Sequence, residues 1–319
     1  MVARSPAELV NLEIVSPDYF KAPQELLYRP STARAVFGGQ VIAQALHAAS
    51  QTVSRNFQVH SFHCYFLLPG RTTESIYYSV QRLRDGRNFC TREVEAKQNG
   101  GVLFVMVAQF AAAVDLNRGL RYSASPPHPP PPEALISLAE FLAENPAGLS
   151  ASARSRVERG LRSPVPVDQR FVHVAFLRAD KSRRGEAVNY FEGGTVGGNG
   201  EVRDAPRRTF WLRVTEEIKD DSLHPIVFSF ISDWPVLNTA LEPLGSSITD
   251  RLTFIASLDH TIWFHRPGLR ADAWLLFDLT CQQASSERAV VLCHVWNQQN
   301  QLMATVAQEG LIRVTQAKM

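Results

Sequence analysis

Two halves of the chain repeat one pattern, and such a chain is expected to fold as two copies of one unit. Phe66-Leu-Leu-Pro-Gly70 recurs as Phe264-His-Arg-Pro-Gly268, an offset of 198 (264 − 66), and Val107-Ala-Gln109 recurs as Val306-Ala-Gln308, an offset of 199 (306 − 107). Upstream, Phe37-Gly-Gly-Gln-Val-Ile-Ala-Gln-Ala-Leu46 aligns with Ser232-Asp-Trp-Pro-Val-Leu-Asn-Thr-Ala-Leu241 at an offset of 195.

Each unit reads as a helix followed by long strands. In the first, Val41, Ile42, Ala45, Leu46 and Ala49 recur at helical spacing, and the added alanines make the helix apolar almost all round, so it has to be wrapped by other structure. In the second, Asp233 is expected to be the N-cap, with Pro235 tolerated in the first turn. Strands are expected over Gln58–Leu68, Ser75–Leu83, Phe89–Gln98 and Val102–Ala113, and again over Ser257–His265, Ala273–Cys281, Arg288–Gln298 and Leu302–Val314. Turns such as Arg84-Asp-Gly-Arg87 and Asn99-Gly-Gly101 make these antiparallel hairpins. Six prolines between Ser125 and Pro132 exclude helix interior and central strand, marking an extended linker across the outside of the body. Apolar spacing over Glu133–Glu144 adds a short helix, and Gly193–Gly200 reads as a flexible loop without a phosphate-binding GxxxxGK[ST] pattern. The expected units are 1–122, a linker at 123–164 and 165–319. The two halves are expected to pack sheet to sheet.

Composition narrows the function. With 33 Lys+Arg against 31 Asp+Glu, the chain has no excess charge for a nucleic-acid partner. No apolar run reaches the ~20 residues of a membrane span, and the proline and acid near the N-terminus argue against a secretory signal. Cys64, Cys90, Cys281 and Cys293 lack CxxC spacing and read as small buried hydrophobes, reduced in an intracellular compartment. His60/His63 and His260/His265 do not suit zinc, because odd spacing on a strand sends the members of each pair to opposite faces. Ser257, Asp259 and His260 do not suit a nucleophile triad for the same reason, and no GxSxG elbow is present. Asp259 and His260 read instead as a structural pair. The cluster Lys181, Arg183, Arg184, Arg203, Arg207 and Arg208 reads as a solvated face.

Phe37-Gly-Gly-Gln-Val-Ile-Ala-Gln-Ala-Leu46, His60-Ser-Phe-His-Cys-Tyr-Phe66, Ile231-Ser-Asp233, Ser257-Leu-Asp-His-Thr-Ile-Trp-Phe-His-Arg266 and Ala307-Gln-Glu-Gly-Leu-Ile-Arg313 resemble the signature segments of the type II acyl-CoA thioesterases. The resemblance spans most of the chain, weakest over Lys181–Arg208. It implies an α+β double hotdog: two copies of a central helix wrapped by a curved antiparallel sheet. It also implies hydrolysis of acyl-CoA to fatty acid and CoA, with no metal and no organic cofactor. The alternative is a hotdog protein that binds acyl-CoA without hydrolysing it. A dehydratase of the same fold would need a histidine near the first helix, and Phe37-Gly-Gly-Gln40 has none.

The family's catalytic Asp, Ser/Thr and Gln carry over onto Asp233, Ser257 and Gln308. By the repeat offsets these fall opposite Gly38, Val59 and Gln109, so the first copy keeps the amide and lacks acid and hydroxyl. The chemistry is therefore expected in the second copy. Asp233 would polarise or deprotonate a water that Ser257 and Gln308 help to hold, and backbone N–H groups at a central helix N-terminus would receive the oxyanion. Ala317-Lys-Met319 resembles the C-terminal address read by the peroxisomal import receptor, making that receptor a partner and the peroxisomal matrix the expected location. Homo-oligomerisation is left open.

Overall fold

Alternation of apolar and polar side chains decides the strands. Val94, Ala96, Phe104, Met106, Ala108 and Phe110 are buried at every second position, while Glu93, Glu95, Val107 and Gln109 face outward. The computed structural model describes residues 5–30, 33–113, 120–137, 140, 158, 167–172, 205–234, 236–247 and 251–315.

The first half contains α1 (Pro6–Leu9), β1 (Glu13–Ser16), β2 (Tyr19–Ala22), α2 (Gly38–Gln51), β3 (Phe57–Phe66), β4 (Ile76–Asp85), β5 (Phe89–Gln98) and β6 (Gly101–Ala112). The second contains β7 (Val167–Phe171), β8 (Arg207–Val214), α3 (His224–Ser232), a 3₁₀ segment (Leu237–Ser247), β9 (Leu252–Ser257), β10 (Asp259–Phe264), β11 (Leu275–Ser285), β12 (Arg288–Asn297) and β13 (Leu302–Val314). Asn99 and Gly100, at φ 50° and 76°, close the β5–β6 hairpin in the left-handed conformation that the strand twist favours.

All strands join one antiparallel sheet in the order β1-β2-β4-β5-β6-β3-β10-β13-β12-β11-β8-β7, with β9 also paired to β13. The halves meet where β3 pairs with β10, and His63 lies opposite Thr261. The 198-residue offset carries His63 onto Thr261, so the pseudo-twofold axis passes between them. The expected sheet-to-sheet packing is thus an edge-to-edge union, with α2 and α3 packed against each other on its inner side. Pairing the two edges satisfies backbone groups that either half alone would expose. Residues Val41 to Leu46 of α2 are at most 5% exposed, as an all-round apolar helix demands.

The second helix departs from expectation. Asp233 caps the C-terminus of α3 at φ −76°, ψ −17°, and does not begin a helix. The apolar run Ile226, Val227, Phe228, Phe230 and Ile231 forms the central helix ahead of it, and Pro235 in the sequence disfavours helical conformation at Trp234.

The proline segment lies extended against the outer face of the second half. The Trp211 indole donates to the Pro130 carbonyl at 3.0 Å, and Arg170 Nη1 donates to the carbonyls of Pro132 and Leu135 at 3.2 and 2.9 Å. Trp211, Trp274, Leu276 and Trp296 form the apolar bed there. Of the helix expected over Glu133–Glu144, the described part is a 3₁₀ turn at Pro132–Ala134 and the helical Glu140, whose N–H donates to Ser137 Oγ at 3.2 Å while its carboxylate accepts from Ser137 N at 2.6 Å; Leu138, Ala139 and Leu142 lie outside the described residues, as do Gly193–Gly200 and Ala317–Met319. All four cysteines are free and buried. No helix of the described residues is long and apolar enough to cross a membrane.

Candidate active site

Three inward-facing elements bring Asp233, Ser257 and Gln308 to one point. Asp233 follows the last turn of α3, Ser257 ends β9, and Gln308 faces inward from β13 at 1% exposure. Gln308 Nε2 donates to Asp233 Oδ1 at 2.8 Å and to Ser257 Oγ at 2.6 Å, and Ser257 Oγ lies 3.5 Å from Asp233 Oδ1. Both amide hydrogens of Gln308 are thereby used. Among the described residues, Asp233 Oδ2 has no hydrogen-bond partner.

That free oxygen faces the start of α2. A β-carbon at Gly38 would fall 2.8 Å from Asp233 Oδ2, and one at Gly39 would fall 2.3 Å from the Phe230 carbonyl oxygen. Only glycines allow this approach. Phe37 occupies the N-cap of α2 and supplies no side-chain acceptor; the Gln40 N–H bonds back to the Phe37 carbonyl at 3.1 Å, which leaves the N–H groups of Gly38 and Gly39 for a ligand. A carboxylate beside the C-terminus of α3 is disfavoured by that helix's dipole, while the positive end of α2 offsets the cost. Gln40 pins this turn: its Oε1 accepts from Tyr28 N at 2.7 Å, and its Nε2 donates to the carbonyls of Leu9 and Leu26 at 2.9 and 2.8 Å.

A further buried pair completes the cluster, and the sequence reading missed it. His260 Nδ1 lies 3.1 Å from Gln308 Oε1, and its Nε2 lies 3.0 Å from Ser232 Oγ. Burial lowers the proton affinity of this imidazole, while the Asp233 carboxylate opposes the shift. Asp259 and His260 are not a bonded pair: Asp259 Oδ1 accepts from Glu309 N at 2.7 Å, and the two side chains are satisfied separately. Testing inward-facing histidines against every inward amide, as well as against their strand neighbours, would have found the His260–Gln308 contact.

The register also corrects the repeat. Val107 pairs with His63 as Ala307 pairs with Thr261, so Gln308 corresponds to Ala108, and Gln109 to Glu309. The two Val-Ala-Gln tripeptides lie one residue out of register, which turns Gln109 to the exposed face. The first copy therefore lacks the amide too.

Other candidates are placed apart from this cluster. His63 Nδ1 lies 3.2 Å from Thr261 Oγ1, and His265 Nε2 lies 2.8 Å from Thr305 Oγ1, both among exposed contacts. Of the basic set, Arg207 pairs with Asp278 at 2.7 Å, and Arg208 pairs with Glu242 at 3.0 Å; Lys181, Arg183, Arg184 and Arg203 lie outside the described residues. Arg208 is largely buried, so it is not part of a solvated face.

Two family models match the chain: the acyl-CoA thioesterase N-terminal domain over residues 28–111, and acyl-CoA thioesterase over residues 193–311, which begins inside the stretch where the resemblance is weakest. The chain is 32% identical to acyl-coenzyme A thioesterase 8 of Mus musculus, over 96% of this chain and 88% of that protein. It is 25% identical to the peroxisomal acyl-coenzyme A thioester hydrolase 1 of Saccharomyces cerevisiae, over 96% and 93%. An acyl-CoA thioesterase II structure from Mycobacterium marinum superposes with a TM-score of 0.71 at 30% identity, over 97% of this chain and 98% of that one. A hot dog fold protein from Alicyclobacillus acidocaldarius shares the fold with a TM-score of 0.68 at 16% identity, over 98% of each chain.

Proposed function

The chain belongs to the type II acyl-CoA thioesterase family, a double-hotdog enzyme that hydrolyses acyl-CoA to fatty acid and CoA, and on that premise we propose that Asp233, Ser257 and Gln308 are its catalytic residues. The observation that carries the assignment is the Gln308 amide, bonded at once to the Asp233 carboxylate and the Ser257 hydroxyl across 75 and 51 residues of chain.

Asp233 takes a proton from water through its free Oδ2 as the water oxygen attacks the thioester carbonyl. Ser257 and Gln308 fix the carboxylate and help to hold that water. The oxyanion is received by first-turn N–H groups of α2 at Gly38 and Gly39, where the helix dipole favours negative charge. Collapse of the tetrahedral intermediate breaks the C–S bond, and the departing CoA sulfur takes up a proton. The uncapped Phe37 end supports this arrangement, as does the closeness of Asp233 Oδ2 to Gly38, where an added β-carbon would fall 2.8 Å from it.

Asp233→Asn keeps size and removes the base. It should keep the fold and lower kcat by roughly 10²–10⁴-fold with KM little changed. Near-normal turnover would overturn the assignment.

The hotdog units are residues 1–122 and 165–319, joined by the linker. The enzyme works in the peroxisomal matrix, with Ala317-Lys-Met319 as the address for the import receptor; the peroxisomal name of the yeast relative supports this location. A reporter carrying only these last residues should enter peroxisomes, and one that stays diffuse in import-competent cells would contradict it.

A further inference from the structure

The Gln308 amide works only in one orientation, and something must choose it. The end facing Asp233 Oδ1 has to be the N–H end, because a carbonyl oxygen there would confront the carboxylate. The Oε1 end then faces His260 Nδ1 at 3.1 Å, so that nitrogen must carry a hydrogen. His260 is fully buried on β10 and held by the Phe62 ring at 6.3 Å. With Nδ1 protonated and the ring neutral, Nε2 offers a lone pair to Ser232 Oγ at 3.0 Å. The single Ser232 hydrogen is then drawn from the Ser229 carbonyl, 2.9 Å away, to the ring. The first half supplies the contrast. There the offset of 198 puts Phe62 in the place of His260, and the register puts Ala108 in the place of Gln308. Imidazole and amide are absent together.

We propose that His260 is a positioning residue for hydrolysis: its Nδ1–H holds the Gln308 carbonyl, so that the amide N–H groups stay aimed at Asp233 and Ser257, and the Ser232 hydroxyl satisfies the other ring nitrogen. The proposal rests on the assignment of Asp233, Ser257 and Gln308. His260 acts through Gln308 and does not touch the substrate.

The test is steady-state acyl-CoA hydrolysis by the full-length His260→Phe, His260→Asn and Gln308→Ala variants and the His260→Phe/Gln308→Ala double variant. His260→Phe should lower kcat by about tenfold to a hundredfold with KM little changed. His260→Asn, whose amide nitrogen falls near the place of Nδ1, should recover most of that loss. The double variant should be no slower than Gln308→Ala alone, because one residue acts through the other. A near-normal Gln308→Ala enzyme would sink the trio, and this proposal with it. With Gln308→Ala impaired, the proposal alone fails if His260→Phe turns over normally, if Asn does not rescue, or if the two losses multiply. Should His260→Phe not fold, as read by thermal melting, His260→Gln takes its place. A glutamine amide reaches toward the Nε2 position and Ser232, so this variant should be slow where His260→Asn is active, and equal rates would overturn the proposal.

Discussion

Val59, Phe62 and Ala108 in the first half stand where the second half has Ser257, His260 and Gln308. Strand pairing and inward positions match; only the chemistry of the inner face differs. At these three positions the first half has apolar side chains, which need no partners. In the second, a buried amide or imidazole left unpaired would cost about 1–3 kcal/mol each, and bonding to one another removes that cost. One sheet geometry thus tolerates a dry lining or a polar network, provided the network is complete. Glycine marks the difference again at Gly310, where Leu237 of the 3₁₀ segment lies against the backbone and a β-carbon would fall 2.4 Å from it, while the first half fills this place with Phe110.

The comparison breaks most completely if the halves can live apart. Expressed separately, each would expose a β3 or β10 edge and an uncovered helix, and the fragments should be insoluble and inactive. Two soluble fragments with cooperative melts would contradict the joint core. Within the intact enzyme, Ser257→Ala and Gln308→Ala should each lower kcat by roughly 10–10²-fold, less than Asp233→Asn. Combined with Asp233→Asn they should add little, since all three are proposed to serve one water; multiplicative losses would separate their roles. Gly38→Ala is a smaller insult to the same place. Its methyl would press on Asp233 Oδ2 at 2.8 Å and should lower kcat by about tenfold with KM less affected. Normal turnover in this variant would show that the α2 approach is not needed.

Acid should act more gently, and mainly on the second half. Burial lowers the proton affinity of His224, His260 and His265 there, and of His47 and His60 in the first half. Above pH 6.5 these rings are neutral folded or unfolded. As pH falls through 6.5 the unfolded chain takes protons first, so stability should drop until the lowered folded values are reached. Denaturant midpoints should fall between pH 7.5 and 5.5, and less so in His260→Asn; a flat profile would contradict the burial. The smallest effect belongs to Gln109→Ala, exposed on the outer face, which should leave kcat within about twofold.

The strands were legible because alternation is a local signal: Phe89–Gln98 and Leu302–Val314 were read with the boundaries that the structure has. The second helix was misread because Asp233 and Pro235 imitate a helix start, while the run from His224 to Ser232 is apolar on every face and shows little helical periodicity. Gln109 was misassigned because identical tripeptides outvoted parity: Ala108 and Phe110 are buried, so the residue between them must face outward. Asp233, Ser257 and Gln308 came from the family resemblance, and their convergence depends on tertiary contacts that no spacing encodes. His260 was visible as a residue, but its partners Ser232 and Gln308 lie 28 and 48 positions away.

Whether Asp233 activates water or attacks the thioester itself can be read in one turnover. Enzyme in excess over acyl-CoA, in water enriched in heavy oxygen, should release fatty acid that carries one solvent oxygen from the first turnover. The peptides holding Asp233 and Ser257 should then be unchanged in mass. An unlabelled first product with heavy oxygen appearing in Asp233, or an acyl group retained on Ser257, would contradict the water mechanism.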